Sequence, residues 1–266
     1  MRQPGGSAGG TAPRLALFDH HIHTERSDGT VSLAARASTV SVRPHGVSDH
    51  FPWRDKMRGD DDVLRYLDDA GRLGLRVGLE YDIGVAPPLR ATTRASLHYM
   101  IGAIHQLDVD GVRVGFDEAG AFLKGKRPSF MERDRFADDA LARRIRERML
   151  EVVRDSFEHD GIDILGHGTM SPLAALGDPE RAYPVDWQEQ LIQLCLDADV
   201  AIEVNEAYGV PHREFLERAL RMGARFSVGS DTHYALAPLD KTQAMIEAAS
   251  LPHERFLVGE RVHAPR

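Results

Sequence analysis

Histidine and carboxylate residues recur along this 266-residue sequence, each time beside a short apolar run of the kind that forms a β-strand. Imidazole nitrogens and carboxylate oxygens are ligands for zinc, manganese and iron. Placing them at strand ends adds little to stability, whereas a metal cluster requires them there. In chain order, the groups are Asp19-His20-His21-Ile22-His23, Asp49-His50, Glu80, His105, His167, Glu203 and Asp231-Thr232-His233.

Two of these groups have a spacing that can present two ligands to one ion. His21 and His23 lie two residues apart, as do Asp231 and His233. On an extended chain, residues i and i+2 point to the same face. Either pair alone is a weak signal. Glu80 ends an apolar run, where a buried, unpaired carboxylate is costly, and a position bridging two cations would remove that cost.

Single histidines end two further apolar runs. His105 follows residues 101–104, and His167 follows residues 164–166. One such histidine is more often a hydrogen-bonded core residue than a ligand. Several in the same strand-end position favour a shared site.

The elements that must position these groups can be read from the apolar pattern. The predicted strands are residues 15–18, 46–48, 75–79, 99–104, 163–166, 200–202 and 224–228. Predicted helices cover residues 32–42, 60–73, 141–157, 184–198 and 215–223. Strands that alternate with helices imply an α/β fold with a parallel sheet and right-handed crossovers. About seven such units can close into a barrel, in which reactive groups lie at the carboxyl ends of the strands.

Composition narrows the class of protein. Hydrophobic residues make up 42 % of the chain, and the formal net charge of −8 argues against a nucleic-acid partner. Its one cysteine, Cys195, cannot form a disulfide within the chain, which favours a cytoplasmic location. Cys195 lies in a helical pattern and is interpreted as a small buried apolar residue. No apolar stretch reaches the ~18 residues that a membrane span needs. The oligomeric state is left open.

We expect three regions along the chain. Residues 1–14 are rich in Gly, Ala and Pro, lack the pattern of a signal peptide and are expected to be a disordered leader. Residues 15–266 are expected to form a single domain. Residues 106–134 break the strand–helix rhythm and contain a basic stretch at 123–128. This insertion is either a lid over a substrate or a mobile surface segment, and the sequence favours neither.

As an ordered set, the motifs resemble the PHP superfamily, the polymerase and histidinol phosphatase domains. The matching stretches are Asp19-x-His21-x-His23-Thr24 with Ser27-Asp28-Gly29, Val47-Ser48-Asp49-His50, Gly78-Leu79-Glu80, Ile101-Gly102-Ala103-Ile104-His105, Leu165-Gly166-His167 and Gly229-Ser230-Asp231-Thr232-His233. They span almost the whole chain after the leader. The resemblance implies a distorted (β/α)7 barrel, similar to a TIM barrel, with a metal site at the carboxyl ends of its strands.

The resemblance also implies two or three divalent transition metal ions, which would be zinc, manganese or iron. The implied ligands are His21, His23, Glu80 and Asp231 for the first ion, Glu80, His105 and His167 for the second, and His50, His233 and Asp28 for the third. His20 has no counterpart in the motif and is expected to lie behind the ligands or at the surface.

The implied reaction is hydrolysis of a small phosphate monoester. A hydroxide that bridges two ions would attack phosphorus, because coordination lowers the pKa of water toward ~7. Asp231 and His233 are predicted to be catalytic, and either Asp231 or a metal-bound water is expected to assist proton transfer to the leaving oxygen.

The phosphate also needs a positive partner on the protein. Arg213, with His212 beside it, is predicted to bind the substrate, since a guanidinium suits phosphate. Arg127 and Arg135 are better explained as surface residues.

The sequence leaves the substrate open. Residues 101–105 resemble the histidinol phosphatase branch more than the polymerase branch, which favours histidinol phosphate. Residues 203–212 follow that branch only loosely, so a nucleotide or a sugar phosphate stays an alternative. A metal-dependent hydrolase of a non-phosphate bond is disfavoured because no lysine ends a predicted strand. The acidic charge disfavours a nuclease, and the near-complete ligand set disfavours a non-catalytic scaffold.

Overall fold

The computed structural model describes residues 17–259. The predicted leader, the first two residues of the predicted strand at 15–18, and residues 260–266 lie outside that range. The strands in the described range are β1 (Gly46–Phe51), β2 (Arg76–Asp82), β3 (Tyr99–Ala103), β4 (Gln106–Val109), β5 (Val112–Gly115), β6 (Ile164–Leu165), β7 (Ala201–Asn205) and β8 (Phe226–Gly229).

Helices connect these strands. The α-helices of the same range are α1 (Leu33–Ala37), α2 (Asp60–Gly71), α3 (Ala91–Ser96), α4 (Asp117–Leu123), α5 (Arg133–Phe136), α6 (Asp139–His159), α7 (Pro179–Ala182), α8 (Val185–Asp197), α9 (Arg213–Met222) and α10 (Asp240–Ala248). Short 3-10 turns lie at Ala174–Leu176 and His253–Arg255. No helix in the described residues is long and apolar enough to cross a membrane.

The fold is mixed α/β, as predicted. Its main sheet is a curled half-barrel of six strands in the order β1-β2-β3-β6-β7-β8, and every neighbouring pair is parallel. Residues on both faces of the strands are buried, among them Val47, Leu79, Ile101 and Val204. A parallel sheet that is covered on both faces needs nearly continuous apolar strands, which is why the strands could be predicted from short apolar runs.

The segment from Asp19 to His23 connects the two edges of this sheet. The backbone N–H of Asp19 donates to Pro44 O, and Asp19 O accepts from Gly46 N at the start of β1. On the other side, His20 N donates to Val228 O in β8, and His23 N donates to Thr232 O. Only isolated bridges, at Asp19 and Ile22, form where the first predicted strand would lead into its histidines.

Three strands continue through the groups that were predicted to follow them. β1 contains Asp49 and His50, β2 contains Glu80, and β7 contains Glu203. The reason is the neighbouring parallel strand, which extends the hydrogen-bond ladder. In the register, His50 is paired with Glu80, and Glu80 with Ile101.

The predicted helix at 32–42 is shorter in the structure. α1 ends at Ala37, and the next residues form turns. The hydroxyls of Ser38 and Thr39 donate to the carbonyls of Ala35 and Arg36, three residues earlier. Such local bonds compete with helix propagation, and apolar spacing alone does not reveal them.

The insertion at 106–134 is largely structured. β4 and β5 form an antiparallel hairpin whose turn residues, Asp110 and Gly111, have φ angles of 55° and 77°. Positive φ at both turn positions matches the twist of a two-residue hairpin. α4 follows the hairpin, and α5 precedes the long helix α6. Whether the insertion acts as a lid stays a prediction.

Candidate metal centre

One buried carboxylate lies at the centre of the histidine groups. The Glu80 side chain is 1 % exposed and projects from β2, which lies between β1 and β3. Imidazole nitrogens of five residues lie within 3.4 Å of its oxygens, and these residues are His21, His23, His50, His105 and His167. A carboxylate offers about four lone-pair positions, so hydrogen bonding alone does not account for five imidazoles around it.

The two oxygens of Glu80 face different histidines. Oε1 lies 3.0 Å from His167 Nε2 and 3.2 Å from His105 Nε2. Oε2 lies 2.8 Å from His50 Nδ1 and 3.3 Å from His21 Nε2. A carboxylate with each oxygen in a different set of ligands is suited to bridge two cations.

Three groups of side chains bring possible ligand atoms within 4.8 Å of one another. They are His23, Asp28, His50 and His233; His21, His23 and Asp231; and His50, Glu80 and His105. The structure thus brings eight of the nine predicted ligands into these groups. The ninth, His167, is adjacent through Glu80 Oε1.

Asp28 links the histidines at the open side of the cluster. Its Oδ2 lies 3.0 Å from His233 Nε2, and its Oδ1 lies 3.6 Å from His50 Nε2 and 3.7 Å from His23 Nδ1. The turn that carries Asp28 is fixed by Asp49. That buried carboxylate accepts hydrogen bonds from Ser27 Oγ at 2.6 Å and from Thr24 N at 2.8 Å.

Several polar atoms in the cluster are buried and make no hydrogen bond with acceptable geometry, although some of them lie close to a neighbouring side chain. They are His21 Nε2, both ring nitrogens of His23, Glu80 Oε2 and His167 Nδ1. Buried polar groups in folded proteins are nearly always paired, and leaving them unpaired is costly. Divalent cations between these atoms would pair most of them, so the side chains that are present fit a metal centre.

A second carboxylate, Glu203, orients two of the histidines from behind. Its Oε1 lies 2.7 Å from His21 Nδ1, and its Oε2 accepts from the backbone N–H of His167 at 2.6 Å. Asn205 Nδ2 donates to the same oxygen at 3.0 Å. A carboxylate on Nδ1 leaves Nε2 of His21 free for an ion, which is how outer residues of metal sites select the tautomer. A β-carbon at Gly229 would overlap this carboxylate, so β8 needs glycine there.

Two of the predicted ligands have unusual backbone conformations. His167 has a φ angle of 30° and Asp231 a φ angle of 50°, both in the left-handed region. Asp231 N donates to His21 O at 2.8 Å, a bond that secures this conformation. Non-glycine residues in this region cost free energy and cluster at functional sites.

Charge in the cluster stabilises the ionised carboxylates. Burial disfavours the charged form of Glu80, but His50, His21 and His105 together lower its pKa well below the ordinary value. Burial opposes ionisation of Asp231 as well, and Lys124 lowers its pKa well below the usual range.

The histidines respond in opposite directions. Burial disfavours their charged forms, yet Glu80 raises the pKa of His50 to about 9 and that of His105 to about 10. Burial, with His233 and His50 nearby, lowers the pKa of His23 to about 4. In the protein without metal, the cluster therefore holds protons that a metal ion would displace.

The cluster opens into a cavity of about 390 Å³. Its lining residues are Asp28, His50, Pro52, Trp53, Glu80, Asp82, His105, Asp117, Ala121, Lys124, Lys126, Tyr208, Asp231, His233 and Tyr234. The sequence identified the basic stretch at 123–128, within an insertion interpreted as either a lid or a surface segment, but it did not single out Lys124 or Lys126. It also gave no reason to select Tyr208 or Trp53, since neither lies in a motif with ligand spacing.

The predicted substrate residues lie elsewhere. Arg213, whose side chain is 61 % exposed, pairs with Glu217 at 2.7 Å within α9. His212 Nε2 lies 3.4 Å from Glu180, and neither residue lines the cavity. His20 is buried, with Nδ1 2.9 Å from Ser227 Oγ, and Cys195 is buried as expected.

The fold is similar to that of two solved proteins. One is a candidate histidinol phosphatase, HisK, from Listeria monocytogenes, with a TM-score of 0.57, 17 % identity, and coverage of 82 % of this chain and 95 % of the other. The second is histidinol phosphate phosphatase HisK from Lactococcus lactis subsp. lactis Il1403, in complex with zinc, L-histidinol and phosphate. It has a TM-score of 0.57, 12 % identity, and coverage of 93 % and 97 %.

These neighbours show that the fold of this chain is similar to that of HisK proteins. No family model and no curated protein sequence matches the chain.

Proposed function

We propose that the protein is a metal-dependent phosphomonoesterase that acts on a small phosphorylated metabolite, with histidinol phosphate as the preferred candidate. The observation that carries this proposal is Glu80, a buried carboxylate surrounded by five imidazoles on a fold that histidinol phosphatases share. The neighbour from Lactococcus lactis holds zinc, L-histidinol and phosphate, which supports both a metal centre and this class of substrate. Nucleotides and sugar phosphates are the alternative substrates.

We propose two or three divalent ions, with zinc supported by that neighbour and manganese or iron as alternatives. The residues that would hold them are His21, His23, Asp28, His50, Glu80, His105, His167, Asp231 and His233. When bound, such ions offset the charge of a phosphoryl group and lower the pKa of water.

We propose that two residues of this chain, Asp231 and His233, move or hold a proton. The carboxylate of Asp231 lines the cavity, and its low pKa keeps it ionised at neutral pH. It can therefore act as a weak base that holds a proton only briefly, and it does not rest in the protonated form. His233 is oriented at both ring nitrogens, with Nδ1 3.0 Å from Asp231 O and Nε2 3.0 Å from Asp28 Oδ2.

We also propose that residues 19–23 take the place of a seventh strand. Their backbone bonds reach both β1 and β8, which supports closure of the half-barrel. Closure would bring His21 and His23 beside Asp231, as the i and i+2 spacing requires.

The test is a panel of substrates for purified protein reconstituted with zinc, manganese or iron. The panel contains histidinol phosphate, nucleoside monophosphates, sugar phosphates and an amide substrate, and phosphate or amine release is measured. We expect release of phosphate, and fastest release from histidinol phosphate. Fastest release from another monoester would change the substrate but keep the reaction. Amide hydrolysis without phosphate release would overturn the proposal.

A further inference from the structure

The cavity over the histidine cluster has few positive side chains. Among its lining residues, which all belong to the described part of the chain, Lys124 and Lys126 are the two with permanent positive charge. The other ionisable lining groups are histidines, tyrosines and the carboxylates of Asp28, Glu80, Asp82, Asp117 and Asp231. When the histidines hold metal ions as neutral ligands, an anionic substrate that enters this cavity meets cationic side chains only at these two lysines.

Lys124 is held close to the cluster by two partners. Its Nζ lies 3.0 Å from Asp231 Oδ2 and 4.1 Å from the centroid of the Tyr208 ring, and the side chain is 14 % exposed. An ammonium group removed from water needs such partners, since its desolvation is otherwise costly. The contact with Asp231 places this amine directly beside the group of His21, His23 and Asp231.

The packing of α4 fixes the place of Lys124. Gly120 lies one helical turn before Lys124, and a β-carbon at this position would lie 3.1 Å from Tyr208 Cε1. The small residue therefore lets α4 approach the loop after β7, where Tyr208 N donates to Asn205 Oδ1 at 3.0 Å. Lys124 thus differs from a flexible surface lysine, because its helix is packed against the loop that carries its aromatic partner.

Lys126 is placed more loosely. Its side chain lies at the surface, with Nζ 5.7 Å from the centroid of the Tyr234 ring, and it lines the same cavity. Because Lys126 is exposed, its charge is screened by more solvent than that of Lys124.

On the basis of the proposed phosphomonoesterase function, we propose that Lys124, assisted by Lys126, forms the phosphate-binding subsite of this protein. A phosphate monoester carries about −1.5 to −2 charges near neutral pH. Lysine binds phosphate as a compact point charge with three donors. Because Lys124 contacts Asp231, the amine can reach phosphoryl oxygens that face away from the histidines. The insertion thereby takes the role that the sequence analysis gave to Arg213.

The test uses the full chain loaded with metal and four variants. They are Lys124→Met, Lys124→Arg, Lys126→Met and the control Arg127→Met, which removes a positive charge from an exposed position on the same loop. The measurements are the inhibition constant of inorganic phosphate, KM and kcat for the best monoester, metal content and melting temperature. We expect Lys124→Met to weaken phosphate binding and raise KM by ~10-fold or more, since a hydrogen bond to a charged group is lost.

The effects of the other variants should rank by whether the replaced side chain lines the cavity, as Lys124 and Lys126 do and Arg127 does not. Lys124→Arg should retain part of the phosphate affinity, Lys126→Met should lose roughly 2- to 5-fold, and Arg127→Met should change it by less than about 2-fold. Metal content should stay at the wild-type level in all four. Unchanged phosphate inhibition and KM in Lys124→Met would overturn the proposal, as would a loss confined to metal content or melting temperature.

A second measurement uses the wild-type protein and does not depend on folding of a variant. The metal-loaded protein is treated with an amine-acylating reagent with and without inorganic phosphate, and modification is followed by peptide mass spectrometry. Phosphate should protect Lys124 and leave the exposed Lys241 unprotected. Equal modification of Lys124 in both samples would contradict the proposed subsite. If no monoester in the panel is hydrolysed, the proposed function fails, whereas hydrolysis with an unprotected Lys124 removes the subsite alone.

Discussion

The cavity has two walls that are built in different ways. The sheet wall comprises the residues at the carboxyl ends of the strands, such as Glu80 and Asp231, which are almost fully buried and have several partners each. The insertion wall comprises Asp117, Ala121, Lys124 and Lys126, which lie on or after α4. Strand register positions the first wall, and helix packing against a loop positions the second. We infer that the proposed chemistry is carried by the sheet wall and the recognition of the phosphate by the insertion wall.

The largest loss of bound metal and activity is expected from a substitution at the centre of the sheet wall. Glu80→Gln keeps the shape of the side chain but removes the charge that lies among five imidazoles. We expect loss of most bound metal and a fall in kcat of about 1000-fold, because both the ligand and the electrostatic stabilisation are lost. Elemental analysis and phosphate release measure the two effects.

The matched control is Glu158→Gln, at an exposed position of α6. It removes the same charge far from the cavity lining, and its metal content and activity should equal those of the wild type. A Glu80→Gln protein with full metal content and activity would show that the sheet wall is not the site of chemistry.

A smaller effect on metal affinity is expected from Glu203, which lies behind the ligands. Glu203→Gln weakens the bonds to His21 Nδ1 and His167 N. Loss of such an orienting carboxylate lowers metal affinity by about 10- to 100-fold. Gly229→Ala should act in the same direction, since its new methyl group displaces the Glu203 carboxylate. Competition with a chelator measures the affinities, and equal values for wild type and Glu203→Gln would remove Glu203 from the metal centre.

The pH dependence of the stability of the metal-free protein tests whether Glu80 interacts electrostatically with the histidines of the sheet wall. The folded pKa values of His50 and His105, about 9 and about 10, lie above the unfolded value near 6.5. A raised pKa contributes stability that is complete below about pH 6.5 and is lost as pH rises through the folded value. Between about pH 7 and pH 10, the advantage of wild type over Glu80→Gln should therefore shrink, by ~3 °C or more in melting temperature.

The quantity to measure is the difference in melting temperature between wild type and Glu80→Gln, because buried tyrosines change the stability of both proteins at high pH. Burial raises the pKa of Tyr66 and Tyr99, and their effect cancels in the comparison. An advantage of wild type that stays constant over this range would mean that Glu80 does not share protons with the histidines. The same protons predict that metal binds more tightly as the pH rises.

The contrast between the walls also explains what the sequence could predict. Apolar runs located the six parallel strands, and the groups beside them, from His21 to His233, come together because parallel strands end at one edge of the sheet. A pattern that is local in the sequence, a ligand beside an apolar strand, therefore predicted which distant residues come together. Strand ends were missed where a neighbouring strand extended the ladder, as for β2.

No such sequence pattern predicted the residues of the insertion wall. Lys124 reaches Asp231 because Gly120 lets α4 approach Tyr208. Gly120 and Tyr208 are 88 residues apart in the sequence. No spacing in the sequence reports this packing. The periodicity of α9 likewise predicted the helix but not the direction of Arg213, which the salt bridge to Glu217 reveals.

The smallest expected effect tests which wall recognises the phosphate. Arg213→Met removes a guanidinium that is 61 % exposed and pairs with Glu217 on its own helix. Such exposed pairs contribute little, so KM and phosphate inhibition should change by less than about 2-fold. Lys124→Met, measured beside it, should change both by ~10-fold or more. If the order were reversed, the helix after β7 would supply the phosphate partner, and the division between a catalytic sheet wall and a recognising insertion wall would have to be abandoned.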